Sequence, residues 1–343
     1  MAFDNLHLEK GMYREAGKSF TQVLEALDPS ENYKGTALEG TDAFQRQLKR
    51  FGIRVRGAGS DRVEKFFRTA ASAVLFPEYV SRAVRQGMEE DDILPSLVAT
   101  TTVIDALDYR VVCSEPGEND MELARVAEGA EIPSTRITVS DQLTRLYKRG
   151  RMVEASYEAL RFQKLDLFSV FLRQIGSSIQ NAHIHDAIEV LTEGSGNVSP
   201  EILYAGETEI GGSAEALSYD QLIRFWTKFR PYKLNAIVAP ESLTQQLLML
   251  SQMQDASAGL AFHGTGKMIT PFGAQLLPIS DEQLGERLIG LDNRYALEMV
   301  RCGEVSVEFD KLIDHQLERA AITSIAGFDL ICDGAVKVLE YEA

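Results

Sequence analysis

The side chains best suited to chemistry are spaced so that no reaction centre forms among them. His183 and His185 stand two apart in the run Ala182-His183-Ile184-His185-Asp186. Residues two apart on a helix point to different faces, so this pair does not chelate; with Asp186 beside it a metal contact is the alternative, and surface or interface histidines are the simpler reading. The run His263-Gly264-Thr265-Gly266-Lys267 has phosphate-loop residues without the Gly-x4-Gly-Lys-Ser/Thr spacing that wraps backbone amides around a phosphate. Asp91-Asp92 and the acidic stretch 115–122 have calcium-type ligands without the ordered spacing of a calcium loop. Cys113, Cys302 and Cys332 are an odd number, far apart, in no metal-ligand or disulfide pattern. Nucleophile-elbow and HExxH motifs are absent. The expectation is a protein that is not an enzyme, with no cofactor, no metal and no catalytic residues.

The composition narrows the class. The 343 residues carry 51 acidic and 35 basic side chains, a formal net charge of -16, which disfavours wrapping nucleic acid, since phosphate binding is driven by Lys and Arg. Such a chain repels its own copies, so any assembly must rest on buried surface and local charge pairing. The cysteine usage suits a reducing compartment. No apolar run is long enough to span a bilayer and the N-terminus has no signal pattern, so the expected site of synthesis is the cytoplasm, with no membrane partner.

The elements that would position any functional side chain centre on residues 162–194. Phe168, Leu172, Ile175, Ile179 and Ala182 recur at spacings of three and four, predicting one long amphipathic helix. Asp166 is its expected N-cap and Gly194 its stop. Before it, residues 132–155 alternate and bury little, with Arg136, Arg145, Lys148, Arg149 and Arg151 breaking the apolar positions. They read as a long basic hairpin, packed on its own domain or against another subunit. Residues 1–70 read as an arm of short elements: a helix over 5–28, a second capped by Thr41 or Asp42, then Arg50, Arg54, Arg56 and Arg62 among glycines. That basic patch is a solvated loop or a contact for DNA or a partner. Residues 72–90 predict a helix opened by Pro77, followed by strands over 96–104 and 108–113. Residues 218–229 and 240–253 predict helices around a buried strand at 235–239, implying helices on a mixed sheet. Further strands are expected at 275–277 (ended by Pro278), on both sides of Leu291-Asp292-Asn293, and at 305–309. Asp333-Gly334 predicts a hairpin between 321–331 and 335–341.

This order of elements resembles the major capsid proteins of tailed bacteriophages with the Hong Kong 97 fold. Three stretches carry the resemblance. IPSTRITVSDQLTRLYKRGRMVEASYEALR is similar to the family's extended loop, returning through Met152-Val153-Glu154-Ala155-Ser156 to Leu160. Residues 162–194 resemble its spine helix. LPISDEQLGERLIGLDNRYALEMV and the following VSVEFDKLIDHQLERAAITSIAGFDLICDGAVKVL resemble the closing segments of its axial and peripheral domains. In addition, LFPEYVSRAVRQGMEEDDILPSLVATTTV resembles the start of the peripheral domain.

The resemblance implies an α+β chain with an N-terminal arm over 1–70 and an extended loop over 132–155. It implies a peripheral domain with spine helix over 71–131, 156–198 and 313–343, and an axial domain over 199–312. It further implies self-assembly into pentamers and hexamers, an icosahedral shell around phage DNA, and a virion location after assembly in the host cytoplasm. Expected partners are other copies of the chain, a separate scaffolding protein, a portal, a decoration protein, and double-stranded DNA held weakly by the inner surface. Arg136, Arg145, Lys148, Arg149 and Arg151 become candidates for the subunit interface. Arg50, Arg54, Arg56 and Arg62 become candidates for a DNA or partner contact. Arg173, Gln180 and His183 mark the helix face expected to line the shell or meet a neighbour. Lys148 has no convincing Asn and Glu counterpart in 312–326, so no isopeptide cross-link is expected. The alternatives are an encapsulin-like cargo shell of the same fold and an α/β enzyme with an unrecognised site.

Overall fold

The structure, a computed structural model, describes the chain except residues 1, 15–17, 91, 107, 115–124, 127, 130–136, 140–142, 197, 214–215, 255–267, 281–283, 313 and 342–343. Its helices are α1 (Phe20–Leu27), α2 (Ala43–Arg50), α3 (Ala70–Ala73), α4 (Phe76–Glu90), α5 (Tyr157–Phe162), α6 (Leu165–Glu193), α7 (Tyr219–Thr227), α8 (Glu241–Met249) and α9 (Ser251–Gln254). Its strands are β1 (Val98–Ile104), β2 (Val112–Ser114), β3 (Ile137–Val139), β4 (Tyr147–Ser156), β5 (Glu201–Tyr204), β6 (Ala236–Pro240), β7 (Gln275–Ile279), β8 (Arg287–Leu291), β9 (Leu297–Cys302), β10 (Ser306–Leu312), β11 (Leu317–Leu330) and β12 (Val336–Glu340).

The chain divides into two compact units. The first contains Met1–Asp92, Lys148–Asn181 and Glu304–Ile325; the second contains Ile93–Tyr147, Ala182–Gly303 and Ala326–Ala343.

In the first unit, local signals set the helix starts. Ser19 with Gln22, and Asp42 with Gln45, form capping boxes that satisfy the first amides of α1 and α2. The continuous helix expected over 5–28 is replaced by 3-10 turns at Ala2–Asn5 and Lys10–Arg14 followed by α1. Gly11 weakens a helix there, and the Ser19 box starts a new one. These short elements are packed rather than loose. Phe20, Leu24, Phe44 and Leu48 share one core with Val80 and Val84 of α4 and Leu172 and Ile179 of α6. Arg46 is fully buried and locks the segment. Its Nε donates to Asp28 Oδ2 at 2.7 Å, its guanidinium reaches the Asp28 and Thr41 carbonyls, and it lies 4.3 Å from the Tyr33 ring. Tyr33 donates to the same Asp28 at 2.7 Å. Burial, with that bond, pushes the Tyr33 phenol up from its ordinary value.

The long helix is one turn later than its sequence signal. α5 ends at Phe162, and α6 begins at Leu165, whose amide donates to the Asp61 carbonyl at 2.9 Å. Asp166 therefore lies inside the first turn, where its negative charge suits the helix dipole, and it accepts the Gly57 amide at 3.0 Å. Gly194 closes the helix at φ +89°. α6 meets α4 backbone to backbone. A Cβ at Gly176 would lie 2.0 Å from the Val84 carbonyl oxygen, and one at Gly87 would lie 2.0 Å from that of Arg173. Beside this helix pair, β10 and the first part of β11 pair antiparallel, and β4 pairs with β11. Gly150 of β4 lies against the Ile322 carbonyl, where a Cβ would be 2.5 Å away.

In the second unit one sheet has the order β5-β12-β8-β6-β7. β6 is buried along its length, as its run of apolar residues requires. α7 opens on a Ser218–Gln221 capping box and lays Phe225 and Phe229 over Gly290 of β8, where a Cβ would lie 2.5 Å from the Phe225 ring. Trp226, on the same helix, is exposed. Pro278 does not end its strand: it sits within β7, opposite Ala239, on the sheet edge, where a missing N–H is tolerated. β1 pairs parallel to β9, and β9 pairs antiparallel to the last part of β11.

Two expected hairpins are not formed. The turn after β8 carries the chain from one sheet to the other, because Asp292 and Asn293 bond to backbone and side chains elsewhere. Asp292 accepts from the Lys233 amide at 2.9 Å and from Arg294 Nε at 2.8 Å, and Asn293 donates to the Ser96 carbonyl at 3.0 Å. Asp333-Gly334 belongs to a 3-10 turn, Asp333–Ala335, after which β12 pairs with β5 and β8 rather than with β11.

Two outcomes follow. Gly176→Ala should lower stability by about 3 kcal/mol, the upper end for overpacking, while Gly11→Ala, with no atom near the added methyl, should be close to neutral; urea unfolding of the purified chains reads both. Burial alone pushes the Asp292 carboxyl up, but the Arg294 bonds and the Lys233 and Arg294 amides outweigh it and hold it below its ordinary 3.8. Its contribution is therefore complete above pH 3.8 and lost as pH falls through the lowered value, so Asp292→Asn should flatten the stability–pH profile in that acid range.

Candidate assembly interface

The basic hairpin expected over 132–155 is differently built. β3 pairs antiparallel with β2, with Val112 opposite Val139 and Ser114 opposite Ile137, whereas β4 pairs with β11. The hairpin is thus β2–β3, and its connection is the acidic stretch after Ser114 rather than the basic one. Residues 115–131 carry six carboxylates and one arginine, a net charge of -5. The reason lies in strand lengths: β4 has ten residues and finds a longer partner in β11, leaving the short β3 to β2.

The base of this hairpin is clipped to the sheet by two carboxylates. The Thr144 amide donates to the Tyr109 carbonyl at 2.8 Å, joining the two arms. The Tyr109 hydroxyl donates to Glu298 Oε1 at 2.8 Å, and Thr102 donates to the same oxygen. Thr144 donates through Oγ1 to Asp329 Oδ2. Glu298 of β9 and Asp329 of β11 are direct cross-strand partners, both buried. Directly opposed residues point to one face, so the two acids stand side by side. Burial, then the Glu298 bond, pushes the Tyr109 phenol up. These five residues escaped the sequence reading as a group. The available signal was an acid within each apolar run, Leu297-Glu298-Met299 and Phe328-Asp329-Leu330.

The sequence-derived interface residues fall into two groups. Arg136 lies outside the described residues. Arg145, Lys148 and Arg151 are exposed, and Arg149 is half-buried. The second patch is largely engaged by its own chain. Arg50 donates to the Leu6 carbonyl at 2.8 Å, Arg56 to Gln86 Oε1 at 3.0 Å, and Arg62 lies 5.6 Å from the Phe162 ring. Arg54 is exposed, with its amide on Asp61 Oδ2 at 2.7 Å.

The outward face of α6 is also not the one expected. Arg173 pairs with Glu90 at 2.8 Å, Gln180 is buried and donates to Asp92 at 2.6 Å, and His183 is fully buried. The exposed side chains are Leu167, Val170, Phe171, Gln174, Ser178 and Asn181. The reason is the helix contact at Gly176, which turns that side of α6 toward α4. Among the described residues no group of three or more His, Cys, Asp or Glu side chains is placed to hold a metal. The 263–267 run lies outside the described residues. Among the described residues no helix is long and apolar enough to cross a membrane.

Neither a protein-family model nor a curated protein sequence matches the chain. Solved structures do. The virus-like particle from Pyrococcus furiosus matches over 77% of this chain and 99% of its own, with 12% identity and a TM-score of 0.50. The capsid of a native GTA particle matches over 73% and 90%, with 14% identity and a TM-score of 0.51. The capsid of the cyanophage P-SCSP1u matches over 74% and 88%, with 11% identity and a TM-score of 0.50. The fold is the Hong Kong 97-like capsid fold. The chain is α+β, as its sequence indicated.

The clip makes a direct test. Tyr109→Phe combined with Thr144→Val removes two of the three hydroxyl bonds to the buried acids and leaves the one from Thr102. Amide exchange in β2 and β3 should then accelerate, with the β6 and β8 amides unchanged; equal acceleration in all four strands would mean general destabilisation instead.

Proposed function

We propose that this chain is a major capsid protein, assembling into pentamers and hexamers of an icosahedral shell that encloses phage DNA. The observation that carries the reading is the fold: shell proteins align with about three quarters of this chain and with nearly all of their own length. The chemistry agrees. Among the described residues no group of His, Cys, Asp or Glu is placed to hold a metal, and the role we read is that of a structural subunit.

Heterologous contacts between identical subunits close into rings. The domain roles follow the same reading: 1–70 as arm, 199–312 as axial domain, and 71–131, 156–198 and 313–343 as peripheral domain with the spine. Arg136, Arg145, Lys148, Arg149 and Arg151 serve as subunit contacts. Arg54, Arg56 and Arg62 remain available to DNA or a partner more readily than Arg50, which is spent on carbonyls of its own chain. The net charge of -16 keeps the grip on double-stranded DNA weak, as packing and release both require. A separate scaffolding protein, a portal and a decoration protein complete the particle, which assembles in the host cytoplasm and persists as the virion capsid.

A cargo shell of the same fold is the second reading, favoured by the almost complete coverage of the Pyrococcus furiosus virus-like particle chain. Negative-stain microscopy of the purified protein tests both. Shells, tubes or hexamers are expected, and a uniform particle of single-subunit size overturns both. Nuclease-protected DNA in shells recovered from infected cells supports the capsid; a co-purified protein cargo supports the second reading.

A further inference from the structure

The first turns of α6 leave an apolar face in solvent with a cationic end, and this combination points to a partner. We propose that this face receives an amphipathic helix of another protein, one whose apolar seam is flanked by Asp or Glu. The surface belongs to the first unit alone and does not rest on the shell reading above. For Arg62 it decides between DNA and a partner in favour of the partner.

Leu167, Val170 and Phe171 stand at spacings of three and four, so they form one ridge along the start of the helix. They are 53%, 47% and 52% exposed, and Phe162, at the end of α5, is 61% exposed. The other side of α6 already fills the core through Leu172 and Ile179, so the fold makes no use of this ridge. A contiguous apolar patch rimmed by polar residues marks a contact site rather than ordinary surface. Here the rim is cationic at the N-terminal end of α6. Arg62 lies 5.6 Å from the Phe162 ring and forms an antiparallel bridge with Lys164. Lys164 precedes Leu167 by three residues and Phe171 by seven, so it continues the ridge. Both cations are exposed, and among the described residues neither has a carboxylate within ion-pair distance. Arg62 is placed over a ring instead, and Lys164 donates to the Ala58 carbonyl at 3.3 Å. The helix end adds positive potential of its own. A partner helix running antiparallel to α6 brings its negative C-terminal end and its flanking carboxylates to this corner, while its seam covers the ridge.

Other occupants match the face less completely. Duplex DNA offers phosphates, which would use the two cations and leave Leu167, Val170 and Phe171 without a counterpart. A bilayer surface is bound by an apolar face with many cations beside it. This ridge has two, with the exposed Asp166 in the same turn, on a chain of net charge -16. A second copy laying the same face antiparallel on this one would set the cations against Gln174, Ser178 and Asn181, which carry no charge.

Binding of four probes to the full-length protein tests the assignment. The first is a helical peptide of about fifteen residues with Leu at spacings of three and four and Glu beside them. The others are the same peptide with Lys for Glu, a short DNA duplex, and phosphatidylcholine vesicles containing phosphatidylglycerol. The acidic peptide should bind, about tenfold or more tighter than the lysine peptide. Leu167→Gln with Phe171→Ser should weaken that binding by about tenfold or more. R62E with K164E should reverse the preference between the two peptides. All four positions are exposed, and the urea midpoint shows that each variant is folded.

Absence of binding by the acidic peptide, or equal binding of the two peptides, overturns the proposal. So does undiminished binding by the folded Leu167→Gln, Phe171→Ser protein, or a preference that R62E with K164E leaves unchanged. Duplex or vesicle binding that Leu167→Gln with Phe171→Ser abolishes gives the face to nucleic acid or lipid instead. Dissociation of a self-associated parent by the same substitutions gives it to a second copy, and the proposal fails there too. Shell formation is read separately by microscopy, so failure here and failure of the shell reading are distinguishable.

Discussion

Gly87 and Gly176 set the closest approach in the first unit. Where each glycine meets the other helix there is no side chain, and the carbonyl of the partner occupies the place of a Cβ. That approach turns the face bearing Gln180 inward and leaves Leu167, Val170 and Phe171 in solvent. It also determines what α6 buries: Leu172 and Ile179 reach the core that holds α1, α2 and α4 together. A bulkier pair would have pushed the helices apart and opened that core, since interiors do not absorb an extra methyl without strain. The length of α6 gives it reach, about 44 Å for its 29 residues, but the glycines give it orientation.

Charge is handled in two ways. Inside the first unit it is neutralised: Arg46 and Asp28 are both buried, and each satisfies the other with additional hydrogen bonds. Such a pair adds little net stability over apolar residues but is severe to break, so it specifies one arrangement of residues 20–50. In the second unit Glu298 and Asp329 are buried side by side and are met by hydroxyls. Neutral donors satisfy lone pairs without supplying an opposite charge, unlike the ion-paired anchor of the N-terminal segment.

Local signals were legible wherever the local sequence decides. The capping residues Asp42 and Ser218, Pro77 in the first turn of α4, and the buried run at β6 all stand where their chemistry predicts. Pairing was less legible, because partners are chosen across the whole chain. Asp333-Gly334 has hairpin composition, yet β12 has better partners in β5 and β8. Pro278 reads as a stop, but an edge strand tolerates it. The hairpin expected within 132–155 was not legible either: β4, with Lys148 and Arg151, pairs with β11, and β3 pairs with β2. Order and spacing of elements carried the fold; which strand lies beside which fixes where the charge stands.

Neither compact unit is a continuous piece of chain. The first requires Glu304–Ile325 and the second requires Ala326–Ala343. β12 lies between β5 and β8, so β5 has no strand to pair with until residues 336–340 have been made. On the ribosome, both units thus wait for the same late stretch of synthesis. A chain made only as far as β10 therefore has neither core closed, and residues 317–340 complete both.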